Sequence, residues 1–116
     1  MLMGAITLHV LDLVKGRPAQ GIPVSLEVQG RAGSWTLLGR SRTDADGRSA
    51  DVMPSHQRLQ PGTYRLTFDT AAYFQTQRLE PFYPDISVVF TVRDPAQHYH
   101  IPLLLSPFGY STYRGS

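Results

Sequence analysis

Apolar residues recur at every second position along most of the chain, the period of strands buried on one face. Ile6, Leu8 and Val10 alternate with Thr7, His9 and Leu11, so His9 is expected to point away from the core. Alternation resumes over residues 22–28, with Pro23 near the strand start, where a missing N–H is tolerated. Further strands are predicted over residues 35–43, over 63–68, where Tyr64, Leu66 and Phe68 share a face, and over the β-branched and aromatic run 86–92. Near the end, an extended 98–105 places Tyr99, Ile101, Leu103 and Leu105 on one face and His98, His100, Pro102 and Leu104 on the other. Ser106-Pro107-Phe108-Gly109 is turn chemistry, so residues 110–113 return antiparallel and bring Tyr113, Arg114 and Ser116 back beside the histidines.

Glycine and proline mark the connections at 12–21, at 29–34 and over the irregular stretch 50–62, which holds His56; Asp94-Pro95-Ala96-Gln97 turns into the last histidine strand. Asp44-Ala45-Asp46-Gly47 is a tight turn. Its opening is similar to that of a calcium loop, but Arg48 stands where the fifth position wants an acid, and no glutamate stands at the twelfth. The turn therefore serves to aim Arg48, the plainer alternative being an ordinary surface arginine. Asp69 and Thr70 are placed to cap one short helix over 71–77. Together these signals predict an all-β chain: a two-sheet antiparallel β-sandwich of about eight strands with one short helix, forming a single domain over 1–116.

Composition narrows the function. A chain of 116 residues has room for one modest core and no second domain. With no cysteine, disulfides and thiolate metal sites are excluded, which suits a reducing compartment. The first residues lack a basic leader, no run reaches membrane-spanning length, and a soluble, cytoplasmic protein is expected. The net charge of +2 comes from basic residues dispersed from Lys15 to Arg114, without the clustered basic face that nucleic acid requires.

Paired histidines on an exposed strand are most simply solvated surface residues. Here, however, His9 and His100 share an outward face with Leu11, Pro102 and Leu104, a mixture that suggests a ligand groove or a contact between copies of the chain. Imidazole exchanges protons near pH 7 and arginine stabilises an oxyanion, so these groups make a hydrolase kit. No nucleophile elbow of the G-x-S-x-G kind is present, and water is the expected nucleophile.

The motifs Leu8-His9-Val10-Leu11-Asp12, Gly16-Arg17-Pro18-Ala19, Thr43-Asp44-Ala45-Asp46-Gly47-Arg48 and Pro81-Phe82-Tyr83-Pro84 follow in order. After them come the run from His98 to Pro107 and the ending Tyr113-Arg114-Gly115-Ser116. In this the chain resembles, almost end to end, the transthyretin-like 5-hydroxyisourate hydrolases of purine breakdown. The likeness to transthyretin, the hormone carrier of that family, is looser: the carrier has other residues where His9, Arg48 and His100 stand and lacks the Tyr-Arg-Gly-Ser ending. The resemblance implies hydrolysis of the N1–C6 amide of 5-hydroxyisourate without cofactor or metal. It also implies a homotetramer, a dimer of dimers, with sites where the dimers meet. It assigns His9 and His100 to activating water and moving protons, with the base left open between them, Arg48 to the substrate oxygen and oxyanion, and Ser116 to positioning. Tyr113, Arg114 and Gly115, with Leu104 and Pro102, would complete the substrate site, while His98 is left as support or groove wall. Two alternatives remain: a non-catalytic carrier of a small aromatic ligand, and a zinc hydrolase using His9, His98 and His100.

Overall fold

The computed structural model describes residues 5–116, and the reading of residues 1–4 as no part of a leader lies outside it. In chain order the elements are β1 (Ile6–Asp12), β2 (Arg17–Pro18), β3 (Pro23–Gln29), β4 (Trp35–Arg42), β5 (Arg48–Ser49), β6 (Gly62–Phe68), α1 (Thr70–Gln75), β7 (Ile86–Val92), β8 (Tyr99–Ser106) and β9 (Gly109–Thr112). One sheet runs β2-β1-β8-β9, with β5 pairing the other half of β1, and the second runs β4-β3-β6-β7. This is the expected sandwich with one short helix. Its two additional pieces, β2 and β5, are two residues long, too short for any period to announce.

Alternation decides which faces meet. Leu8, Val10, Leu103 and Leu105 of one sheet close against Leu26, Leu66 and Phe68 of the other, all fully buried. Each such side chain stabilises the sandwich by about 1.5–3 kcal/mol relative to exposure. The mates of these residues on the far face of β1 and β8 are Thr7, His9 and Leu11, and His100, Pro102 and Leu104. The pairing of β1 with β8 is parallel, unlike every other strand pair of the described residues, and sets Thr7 beside His100, His9 beside Pro102 and Leu11 beside Leu104. A parallel neighbour needs a long crossover, and here almost the whole chain supplies it.

Asp12 ends β1 as a buried anchor. Its carboxylate accepts the backbone N–H groups of Val14 and Lys15 at 2.9 and 3.0 Å and the hydroxyl of Tyr73, so it caps the following turn and ties α1 to the sheet. Burial and this carboxylate push the Tyr73 phenol up to about 12. The cap expected at the helix start is not made: Asp69 gives no side-chain hydrogen bond, and its N–H instead bonds Pro23 O at 2.9 Å. The Thr70 hydroxyl is buried without a partner among the described residues. The helix is held by Phe74 in the core and by Tyr73 rather than by its cap.

The turn before β5 is closed from both ends. Asp44 Oδ1 accepts the N–H groups of Asp46 and Arg48, each at 2.9 Å, and Gly47 O accepts Val10 N–H at 2.7 Å. Gly47 has φ of 73°, and a Cβ built there would stand 2.4 Å from Val10 O, the oxygen that accepts Ala19 N–H. Gly47→Ala therefore combines left-handed strain with a backbone clash. Thermal unfolding should show a loss of at least about 2 kcal/mol, on the order of 5–10 °C in midpoint; an unchanged midpoint would mean the turn does not depend on this approach.

Candidate active site

The register places the outward chemistry. His9 lies opposite Arg48 across the β1–β5 pair, and Thr7 lies opposite His100 across β1–β8. Since Thr7 and His9 are two residues apart on one face, the imidazoles of His9 and His100 sit diagonally, ring centroids 6.5 Å apart and inclined by 36°. The Asp44–Gly47 turn fixes the backbone of Arg48 and leaves its guanidinium side chain exposed. Thr7, Arg48, Ser49, His98, His100 and Ser116 line an open cleft of about 330 Å³, and His9 stands at its side through Arg48 and His100.

The tail closes the far side of His100. Beyond β9 the chain continues alongside β8, Gly115 N–H bonding His100 O at 2.8 Å. Arg114 secures it, with Nη2 donating to Gln97 Oε1 at 3.0 Å and to His98 O at 3.3 Å, and the guanidinium lying 4.5 Å from the centre of the Tyr99 ring. A Cβ on Gly115 would fall 2.6 Å from His100 Cδ2 and 3.3 Å from Pro102 Cγ, so only glycine lets the backbone pass over them. Pro102 is buried beneath this crossing, although it belongs to the outer face. Tyr113 and Arg114 border a second, apolar groove of about 230 Å³ with Val88, Phe90 and Tyr99, which shares His100 with the cleft, and Tyr113 is 59% exposed. Leu104 continues the outer face away from the cleft, beside Leu11. His56 is exposed in its loop and is not among the residues that line the cleft.

Electrostatics keep both imidazoles neutral at pH 7. Burial first, then the Arg48 guanidinium, hold His9 below 6.5, partly opposed by the Asp46 backbone and by the carboxylates of Asp44 and Asp46. His100 is lowered by burial, then by Arg48, His9 and His98. Two neutral imidazoles beside a permanent cation can accept and pass protons while the guanidinium faces developing negative charge. Among the described residues no three side chains of the metal-binding types are grouped to hold an ion, so His9, His98 and His100 do not form the zinc geometry considered above.

Sequence reading missed Thr7. Its hydroxyl oxygen lies 2.7 Å from His100 Nδ1 and 2.9 Å from His98 Nε2. The period placed Thr7 outward, but only the register across two distant strands shows which rings it touches.

A sandwich of this order, carrying charged and titratable groups on the outer face of its β1–β8 sheet, is a transthyretin-type fold. A profile of the HIUase/Transthyretin family matches residues 6–115, and the chain belongs to that family. It is 47% identical over 112 residues to a probable 5-hydroxyisourate hydrolase of Caenorhabditis elegans, covering 97% of this chain and 82% of that one. The solved 5-hydroxyisourate hydrolase of Klebsiella pneumoniae superposes with a TM-score of 0.84 at 36% identity, over 98% of this chain and 100% of that one. Transthyretin from Sparus aurata superposes as well, with a TM-score of 0.89 at 35% identity, over 96% of each chain. Backbone likeness thus covers enzyme and carrier alike, and the side chains must separate them.

The shared dependence on Arg48 is directly measurable. Arg48→Gln removes the cation that disfavours both imidazolium forms, so the titration midpoints of His9 and His100 should both rise in proton NMR. Midpoints that stay put would place the guanidinium away from the pair.

Proposed function

We infer that this chain is a hydrolase that opens the six-membered ring of 5-hydroxyisourate at the N1–C6 amide. The product is 2-oxo-4-hydroxy-4-carboxy-5-ureidoimidazoline, a step of urate degradation. The observation that carries this reading is the pair of imidazoles, 6.5 Å apart between ring centres, set against Arg48 beside an open cleft. A carrier has no use for two proton acceptors held neutral beside a cation. The curated relatives whose names include this hydrolase activity weigh the same way.

In this mechanism water adds to C6 as one imidazole takes its proton. Negative charge builds on the carbonyl oxygen, where Arg48 stabilises it, and the C6–N1 bond breaks as the second imidazole delivers a proton to N1. The products are a carboxylate and a ureido group, and no cofactor takes part. Ser116, on the cleft wall, positions substrate or water, and the tail that carries it is held by Arg114.

The assembly we infer is a homotetramer, a dimer of dimers with the clefts facing the dimer–dimer junction. Its support is the half-buried Leu11 and Leu104 on the outer face, together with Leu13 and Val14 at 58% and 61% exposure where β1 ends. The outer edges of β7 and β9 also carry no neighbour within the described chain. Cytoplasmic residence fits the cysteine-free composition.

The test follows the ultraviolet decay of freshly generated 5-hydroxyisourate, with spontaneous decay subtracted. The wild-type chain should accelerate it, and His9→Ala, Arg48→Ala and His100→Ala should each lower kcat by about 10²–10³, with losses that fail to add. No acceleration by wild type leaves the carrier. Deleting residues 114–116 should cost at least about tenfold while the circular dichroism of the sandwich is kept, because a displaced His100 and a lost Ser116 both spoil alignment. Full activity after that deletion would remove Ser116 from the site.

A further inference from the structure

The hydroxyl of Thr7 bridges two histidine rings, and its hydrogen-bond arithmetic is restrictive. It has one proton, and the described residues offer that proton no acceptor other than His100 Nδ1 at 2.7 Å and His98 Nε2 at 2.9 Å. One ring therefore receives the hydroxyl proton and the other donates its own N–H to the oxygen. Only two arrangements satisfy both contacts. In one, both histidines carry their proton on Nε2; in the other, both carry it on Nδ1. Histidine side chains free in water favour the Nε2–H tautomer, so the first arrangement leaves both rings in their preferred form and the second leaves neither.

The first arrangement has a direction. His98 Nε2–H donates to Thr7, Thr7 O–H donates to His100 Nδ1, and His100 keeps a proton on Nε2, the nitrogen that no described residue engages. His98 is exposed, and no described residue engages its Nδ1. On the other side of the cleft His9, its ring centre 6.5 Å from that of His100, has one unprotonated nitrogen with a free lone pair when it is neutral.

We propose, building on the hydrolase reading above, that His98, Thr7 and His100 form a proton wire from solvent into the cleft, making His100 the acid and His9 the base. As the C6–N1 bond breaks, N1 takes the Nε2 proton of His100. His100 Nδ1 takes the Thr7 hydroxyl proton, Thr7 takes the Nε2 proton of His98, and His98 Nδ1 takes a proton from water. The proton removed from the attacking water leaves through His9 and that of the new carboxyl group leaves to solvent. The wire resets when His100 Nε2 takes a proton from water in the cleft and the relay runs back through Thr7, releasing a proton from His98 Nδ1. Thr7 and His98 are positioning residues in this scheme, acting on substrate only through His100. A neutral imidazole that gave up a proton unaided would be left as an anion, and the wire removes that obstacle.

Tautomers can be read without substrate, by long-range proton–nitrogen NMR of histidine-labelled protein at a pH where the rings are neutral. His100 should be in the Nε2–H form in the wild type and should drift to a mixture in Thr7→Val. In turnover, Thr7→Val should lower kcat by at least about tenfold with KM changed less than about threefold, and Thr7→Ser, which restores the hydroxyl, should recover most of it. His98→Ala should lose kcat and regain it with added imidazole. A wild-type His100 in the Nδ1–H form overturns the wire whatever the activity, as does a Thr7→Val protein with unchanged tautomer and kcat. The expected tautomers in a chain inert towards 5-hydroxyisourate would support the wire and sink the hydrolase reading instead.

Discussion

The parallel pairing of β1 with β8 is the constraint on which the rest of the molecule turns. Its register is held from the core side, where Ile6, Leu8 and Val10 lie beside Tyr99, Ile101 and Leu103 and are all buried. A slip of one residue would carry these side chains to the solvent face, at a cost of several buried apolar groups at about 1.5–3 kcal/mol each. The chemistry on the far face needs no stabilisation of its own. It inherits its spacing from hydrophobic packing on the side it never touches.

The two flanks of the site are fixed by backbone rather than by side chains. On one side the Asp44–Gly47 turn carries Arg48 to His9 and is closed by the approach of Gly47 to Val10. On the other, Gly115 crosses over His100 and Pro102 at a distance no side chain permits. In both places a glycine marks contact with another backbone or ring, and in both the result is a fixed backbone position from which a functional side chain is presented. The cleft stays open between these clamps, lined by the imidazoles of His98 and His100 and by Ser116, while Leu11 and Leu104 carry the same outer face on beyond it.

How much of this was legible depended on the range over which each feature is determined. The faces of β1, β6 and β8 followed from alternation, because burial of one face writes itself into neighbouring residues. The aim of Arg48 followed from the local chemistry of Asp44 and Gly47. By contrast, β2 was read as loop since two residues carry no period, and the expected Asp69 cap is not made: its side chain gives no hydrogen bond, and what ties Asp69 down is its N–H to Pro23 O, 46 positions away in the chain. Asp12 was placed in a loop although it is a buried anchor, a role set by Tyr73, 61 positions away. Thr7 went unremarked for the same reason: a threonine on an outer face is ordinary until a register brings two imidazoles to its hydroxyl. Local patterns were readable, and partnerships between distant residues were not.

The parallel ladder also orders events during synthesis. Thr7 and His100 are separated by 93 positions, so the first strand leaves the ribosome long before the neighbour that will lie along it. At about 5–20 residues per second that interval is roughly 5–20 s. During it, one flank of β1 has no companion and the imidazole of His9 faces an unfinished surface. Completion of the site is therefore among the final steps of folding, and a chain stalled before β8 would hold His9 and Arg48 without His98, His100 or the tail beside them.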